Sequence, residues 1–262
     1  MKSGFLIIIM ISLLPVLVNS QTEKIINQTD NSGKKQGHWI RKYPNGNVMY
    51  DGNFRNDMPV GDFKRYYEDQ TMKSFLVFNE NGTEASATLY YQNGFAASKG
   101  KYVNQLKEGQ WQFFSVLIEG MLINEENYLN NKRHGLSRKF YPDSTVAETI
   151  NYRNDLIHGE CLKYYPGGAL HLRSNYIDGR LNGKFEAFFE NGKPEITGQY
   201  KNNLKEGEWI INKKDGSQRF RVVYTAGIPD NSDIDIYETN YIDSLEQVKP
   251  KIPDPEKTGE KW

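Results

Sequence analysis

The chain has 262 residues, with 33 basic against 33 acidic side chains, 37% hydrophobic and 13% aromatic residues, and a lone cysteine, Cys161. Balanced charge gives no electrostatic ground for nucleic acid or an anionic membrane as partner, and one cysteine excludes an internal disulfide framework. Few hydrophobic residues combined with many rings suit a thin, extended sheet better than a thick globule.

Residues 1–20 read as a cleaved secretory signal. Lys2 supplies the positive region, residues 5–18 are apolar apart from Ser12 and Pro15, and Val18-Asn19-Ser20 precedes a cut before Gln21. The apolar run of about 14 residues is short of the ~20 that a membrane span needs, though an uncleaved anchor is the alternative. The expected address is therefore secreted, periplasmic or cell-envelope. Residues 21–36 are polar and read as mobile, with Ile25 and Ile26 placed to lie along the edge of the first hairpin.

From residue 37 to 228 the chain repeats every 24 residues. The starts are Gly37, Gly61, Ala85, Gly109, Gly135, Gly159, Gly183 and Gly207, with two residues inserted after Gly109. Positions below are counted from these starts. Position plus 17 is aromatic in all eight repeats: Phe54, Phe78, Tyr102, Tyr128, Tyr152, Tyr176, Tyr200 and Tyr224. Asn45-Gly46, Asn93-Gly94, Gly167-Gly168, Asn191-Gly192 and Asp215-Gly216 suit a tight hairpin turn, so each repeat is predicted to be one hairpin. Asp69-Gln70 and Asp143-Ser144 predict looser turns, and residues 115–120 a longer loop. The expected fold is all-β: an elongated, twisted single-layer antiparallel sheet of about eight tandem hairpins.

With a two-residue turn, positions plus 2, plus 6 and plus 17 share one face. That face would carry Trp39, Phe63, Trp111, Phe185 and Trp209, then Tyr43, Tyr67, Tyr91, Tyr141, Tyr165 and Phe189, in a continuous spine of offset-stacked rings. Gly52, Gly100 and Gly198 fall opposite plus 2 and leave room for Trp39 and Phe185 to lie across the backbone. Cys161, in the plus-2 slot of repeat six, reads as a small buried hydrophobe. A second row at plus 5, namely Tyr66, Tyr90, Phe114, Phe140, Tyr164 and Phe188, is expected on the opposite face. It is either a binding surface or, if the sheet curls or bulges, part of a core.

No reaction centre is legible. His134 and His158 occupy equivalent positions in neighbouring repeats, about 10 Å apart, too far to share a zinc ion. His38 and His171 stand elsewhere in the repeat. Glu84, Glu108 and Glu206 recur before repeat starts, where turns want polar residues anyway, and no nucleophile elbow or phosphate loop is present. The expectation is a non-enzyme with no cofactor and no metal. The sequons at Asn27 and Asn81 matter only in a host that glycosylates exported proteins.

From residue 229 the period ends. Residues 232–248 are acidic with interspersed Ile234, Ile236, Tyr237, Tyr241, Ile242 and Leu245, and read as a cap on the last hairpin. Residues 249–261 contain Pro250, Pro253 and Pro255 and read as a flexible tail.

Gly37-His38-Trp39 through Asn45-Gly46, and Gly183-Lys184-Phe185 through Asn191-Gly192, resemble the MORN-repeat family, in particular the bacterial variant repeats grouped as YwqK-type antitoxin-like proteins. Ala85 and Ala87 in repeat three and Lys213 in repeat eight depart from the pattern. The resemblance implies a rod or gently curved sheet serving protein–protein contact or, in some members, membrane-associated scaffolding. The functional expectation is an exported protein-interaction scaffold of the cell envelope. A glycan- or membrane-surface-binding module, and an antitoxin- or immunity-like neutraliser of a partner, are the alternatives.

Overall fold

The computed structural model describes residues 25–230; residues 1–24, with the signal segment expected there, and residues 231–262, with the cap and tail expected there, lie outside them. Among the described residues the chain forms one antiparallel sheet of nineteen strands and no helix. Sixteen strands were expected from the repeats. The additional ones arise because repeat five's first strand is split at His134 into Lys132–Arg133 and Gly135–Phe140, and because two-residue strands, Gln28–Thr29 and Ile228–Pro229, flank the array. Extensive contact runs only between strands that neighbour each other in sequence, as a single-layer array requires.

The turns differ from expectation in an informative way. Within every hairpin but the fourth the loop has three residues, and repeat six alone takes positive φ at two of them, Gly167 and Gly168. Gly46 N–H donates to Tyr43 O (3.0 Å), Tyr43 N–H donates to Asn47 O (2.8 Å), and only Gly46 takes a positive φ. That is a type I turn followed by a left-handed residue and a bulge, not the two-residue turn that Asn-Gly suggests. Asn45 serves by accepting from Asn47 N–H through its side chain (3.0 Å), and Asp69, Asn93, Asp143, Asn191 and Asp215 do the same in their repeats. Repeats two and five are therefore not looser: Gln70 and Ser144 accept the left-handed conformation and make the same bonds. The longer loop at 115–120 forms as expected, closed by Ser115 N–H donating to Met121 O (2.8 Å).

The tight two-residue turns lie between repeats instead. Asn56-Asp57, Asn104-Gln105, Asn130-Asn131, Asn154-Asp155, Asp178-Gly179, Asn202-Asn203 and Ala226-Gly227 have positive φ at both residues, the signature of a type I′ turn. The repeat-start glycine marks a bulge: Asn53 pairs with Val60 and Gly52 with Phe63, so Gly61 (φ 62°) and Asp62 have no direct partner on that side.

Pairing of Gly37 with Phe54 and Trp39 with Gly52 sets plus 2, plus 15 and plus 17 on one face, the ring face. Trp111, Phe185 and Trp209 are wholly buried there. Most ring pairs meet edge to face and not in the expected offset stack: Tyr102–Trp111 at 4.9 Å, Tyr200–Trp209 at 5.0 Å and Phe54–Phe63 at 5.6 Å between centroids.

The glycines at plus 15 accommodate the ring of the following repeat, not of their own. A Cβ on Gly52 would stand 2.2 Å from Phe63, on Gly100 2.3 Å from Trp111, and on Gly198 2.2 Å from Trp209. Where plus 15 is large the next plus 2 is small: Leu76 pairs with Ala87 and Ile150 with Cys161. Ser174 pairs with Phe185. Ala87 and Cys161, departures from the repeat pattern when viewed singly, are the small partners of large neighbours. Neighbouring hairpins are thus joined by matched volumes, which a close-packed interior demands.

Plus 6 lies beyond the strand end and does not extend the spine. Its tyrosines form a ladder of hydrogen bonds across repeats, with Tyr43, Tyr67, Tyr91, Tyr141 and Tyr165 donating to the carbonyls of Tyr66, Tyr90, Phe114, Tyr164 and Phe188 at 2.6–3.0 Å. Changing Tyr141 or Tyr165 to Phe should lower stability in urea denaturation by ~1 kcal/mol each, since the carbonyl loses its donor while the ring stays.

Nor is the spine continuous. One buried cluster runs from Phe63 to Tyr128 and another from Leu172 to Tyr224. Between them repeat five places Ser137, Lys139 and Glu148 on the ring face, and Lys139 Nζ meets the Glu148 carboxylate at 2.5 Å. The reason is compositional: no ring occupies plus 2 of repeat five.

At the N-terminal edge, Gln28–Thr29 pairs with Gln36 and Lys35, and Asn27 N–H donates to His38 O (2.9 Å). This short strand takes the edge position expected of Ile25 and Ile26, which remain exposed.

Candidate interaction surface

The ring face is mostly covered by its own side chains, with Trp39, Phe54, Phe78, Tyr152 and Tyr176 left half-buried. Two residues before a repeat start, a cation reaches over the rings: Lys35 Nζ lies 4.9 Å from the Trp39 centroid and 4.7 Å from Phe54, and Lys107 Nζ 4.9 Å from Trp111 and 4.8 Å from Tyr128. Arg133 covers Tyr152 at 4.2 Å, and Lys205 covers Trp209 and Tyr224 at 5.6 Å. Such contacts hold a charge against a low-dielectric surface because the ring face is electronegative. Burial pushes the Tyr152 hydroxyl up to about 12 and the Cys161 thiol up to about 11, so Cys161 is the inert small hydrophobe that its slot calls for.

The opposite, polar face carries three parallel stripes. Along the intra-repeat turns runs the plus-5 row. Alternation from buried Phe63 sends Tyr66 to this face, and Tyr66, Tyr90, Phe114, Phe140, Tyr164 and Phe188 are all half-buried there. A bulge does fall at each of these positions, but its extra residue is in the partner strand, as Lys73 is opposite Arg65 and Tyr66, so the rings keep the alternation of their own strand. Tyr66 also lines, with Tyr43, Met49, Arg65 and Lys73, a shallow recess of ≈ 190 Å³. Lys64 and Lys99 sit 5.8 and 5.4 Å over Phe75 and Phe114.

The middle stripe is charged and largely self-paired. Arg173 bridges Glu160 (3.3 Å) and Glu186 (3.1 Å), Lys184 also reaches Glu186 (2.7 Å), and Arg138 meets Glu125 (3.6 Å). Burial works against the Glu186 carboxylate, but hydrogen bonds from Lys184 and Arg173 outweigh it and hold its pKa below the usual range.

The third stripe follows the inter-repeat turns, where the residues flanking each turn pair directly on the polar face. Arg55 pairs with Met58, Val103 with Leu106, Leu129 with Lys132, Arg153 with Leu156, Ile177 with Arg180 and Lys201 with Leu204. Leu156, Ile177 and Leu204 are each about half exposed. This rail of aliphatic and cationic side chains was not foreseen from sequence. Its signal is the recurrence of Met58, Leu106, Leu156, Leu204 and Ile228 at plus 21, hidden among turn residues.

The histidines are dispersed. His38 Nε2 meets Asp51 at 2.7 Å, His158 Nδ1 lies 3.4 Å from Asp178, and His171 packs on Tyr165 with centroids 4.3 Å apart. Burial lowers the His171 pKa. Among the described residues no group of three His, Cys, Asp or Glu side chains is placed to hold a metal ion.

No curated protein matches the chain at a significant level. The family model of the MORN repeat variant matches it at residues 35–56, 133–154 and 181–202. All three stretches begin two residues before a repeat start, on Lys35, Arg133 or Leu181, and end in the inter-repeat turn, so the similarity to MORN repeat variants falls in one phase of the 24-residue period.

Proposed function

We propose that the chain is an exported, non-catalytic MORN-like repeat scaffold of the cell envelope that binds another protein along its polar face. The supporting observation is the division of labour between faces. Most of the ring face is taken up by internal packing, whereas the rail keeps large aliphatic side chains in water at repeat after repeat, beyond what turn formation needs. Flanking cations add orientation and steer an acidic partner. Export is supported by the pattern of residues 1–20, and the binding role by the general use of MORN repeats as interaction modules.

The plus-5 rings support a second reading, a stacking platform for glycans, because they are half-buried in a row and not sealed into a core. One experiment separates the readings. Immobilised chain beginning at Gln21 is compared with a Leu106→Glu, Leu156→Glu, Leu204→Glu variant and a Tyr90→Ala, Phe114→Ala, Tyr164→Ala variant, against envelope protein extract and a glycan array. The scaffold reading expects the leucine variant to lose the specific protein while melting as the parent does. The glycan reading expects the ring variant to lose sugar binding with stability nearly intact. Protein recovery unchanged by the leucine substitutions would remove the rail from the function, and a collapse of stability in the ring variant would show those rings to be core.

A further inference from the structure

Five asparagines in the chain are followed by glycine: Asn45, Asn81, Asn93, Asn182 and Asn191. Such a pair deamidates in water when the glycine nitrogen attacks the side-chain amide carbon, an approach that glycine, having no side chain, does not hinder. Backbone geometry does not separate four of the five. Gly46, Gly82, Gly94 and Gly192 take φ between 72 and 89° and donate N–H to the carbonyl three residues back, at 2.8–3.1 Å. In each case the asparagine Oδ1 accepts from the N–H two residues on, at 3.0–3.2 Å.

The amide nitrogens, which must leave as ammonia, are held differently. Asn93 Nδ2 donates to Val116 O (2.9 Å), Asn191 Nδ2 to Lys214 O (3.2 Å) and Asn182 Nδ2 to Asn202 Oδ1 (3.3 Å), while Asn45 Nδ2 reaches Glu68 O at 3.5 Å. Each of these ties the nitrogen to the next turn along the same edge of the sheet. Asn81 is exposed, and its Nδ2 makes no hydrogen bond among the described residues. Its oxygen is the better supported one. Besides Thr83 N–H (3.2 Å), Asn81 Oδ1 accepts from Thr83 Oγ1 (2.6 Å), so two donors meet the atom that carries the charge of the tetrahedral intermediate.

We propose that Asn81-Gly82 is the site at which the folded chain deamidates. Gly82 gives its amide proton to solvent and its nitrogen bonds Asn81 Cγ; Nδ2 takes up a proton and leaves as ammonia, and water opens the cyclic imide to aspartate or isoaspartate. Glycine is compulsory at 82, where a Cβ would stand 2.6 Å from Pro59 O, although Gln70 and Ser144 replace the turn glycine elsewhere. Aspartate suits the turn, since Asp69, Asp143 and Asp215 already hold the N–H and hydroxyl of Thr71, Thr145 and Ser217 in the same way. Isoaspartate lengthens the main chain where Gly82 is already pressed against Pro59. Either product sets a new carboxylate beside Glu80, which meets Arg55 at 3.2 Å, in the turn at residues 79–82 that interrupts the rail.

The test incubates the full chain in mildly alkaline buffer made with heavy-oxygen water and follows each Asn-Gly peptide by mass spectrometry. Asn81 should convert at least ~10-fold faster than Asn93, Asn182 and Asn191, whose nitrogens must first break a hydrogen bond, with weakly held Asn45 second. In urea that unfolds the array the five rates should converge, because the ranking is made by the fold. Thr83→Val should slow conversion of Asn81 at least ~3-fold by removing one of its two oxygen donors. A different pair reacting first, the same ranking in urea, or an unchanged rate in Thr83→Val would overturn the proposal.

Discussion

Gly100→Leu and Trp111→Ala should each destabilise the array strongly, and combining them should recover much of the loss. A Cβ on Gly100 meets Trp111 at 2.3 Å, so leucine there displaces a wholly buried indole. Overpacking of this kind costs ~1–3 kcal/mol, and removal of the tryptophan ~3–5 kcal/mol through lost burial and the cavity left behind. The double variant recreates the Leu76–Ala87 pair that already joins repeats two and three. A coupling energy of ~2 kcal/mol or more in a denaturation cycle would show that the two positions are read together. Additive losses would mean that the volumes match by accident.

The second large effect concerns the polar break. Lys139→Ala should cost ~3 kcal/mol, because it strands the Glu148 carboxylate in a position only 9% exposed. The double change Lys139→Ala with Glu148→Ile copies Ala187–Ile196 of repeat seven. It should restore parental stability or exceed it, toward the lower end of the ~1–4 kcal/mol seen when buried pairs become apolar, as Lys139 keeps partial contact with water. Joining the two ring-face clusters should also sharpen the unfolding transition, since coupling between repeats is what propagates order along a linear array. Calorimetry of the two single variants and the double variant reads both effects.

These effects mark what the sequence discloses and what it conceals. The period, the ring face and the plus-5 row follow from fixed spacings, because strand alternation acts on every repeat alike and survives a wrong turn type. Turn type itself was misread. Asn45-Gly46 suits either a type I′ turn or a type I turn with a bulge; the residue that decides is Pro44, with Pro142 and Pro166 at the same position, whose fixed φ suits the first corner of a type I turn. Most of the true type I′ pairs, such as Asn202-Asn203, carry no glycine and are legible only through the tolerance of asparagine and aspartate for positive φ. The polar break was written in Ser137, Lys139 and Glu148, yet treating eight repeats as equivalent hid it. The lysines over the rings and the aliphatic rail depend on which side of the sheet a turn-flanking residue faces, and the bulges at repeat-start glycines such as Gly61 set that geometry.

Stacked hairpins joined by matched volumes make a claim that size alone contradicts. Excision of residues 61–108 removes two repeats and brings Gly52 against Trp111, a pairing the chain already uses at Gly100. Excision of residues 85–108 removes one repeat and brings Leu76 against Trp111. Both keep the 24-residue phase, and the longer product should be the more stable if only repeat number counted. Thermal unfolding of the two proteins followed by circular dichroism should instead show the shorter one melting at the higher temperature and with the sharper transition. A higher melting temperature for the 85–108 deletion would contradict the account.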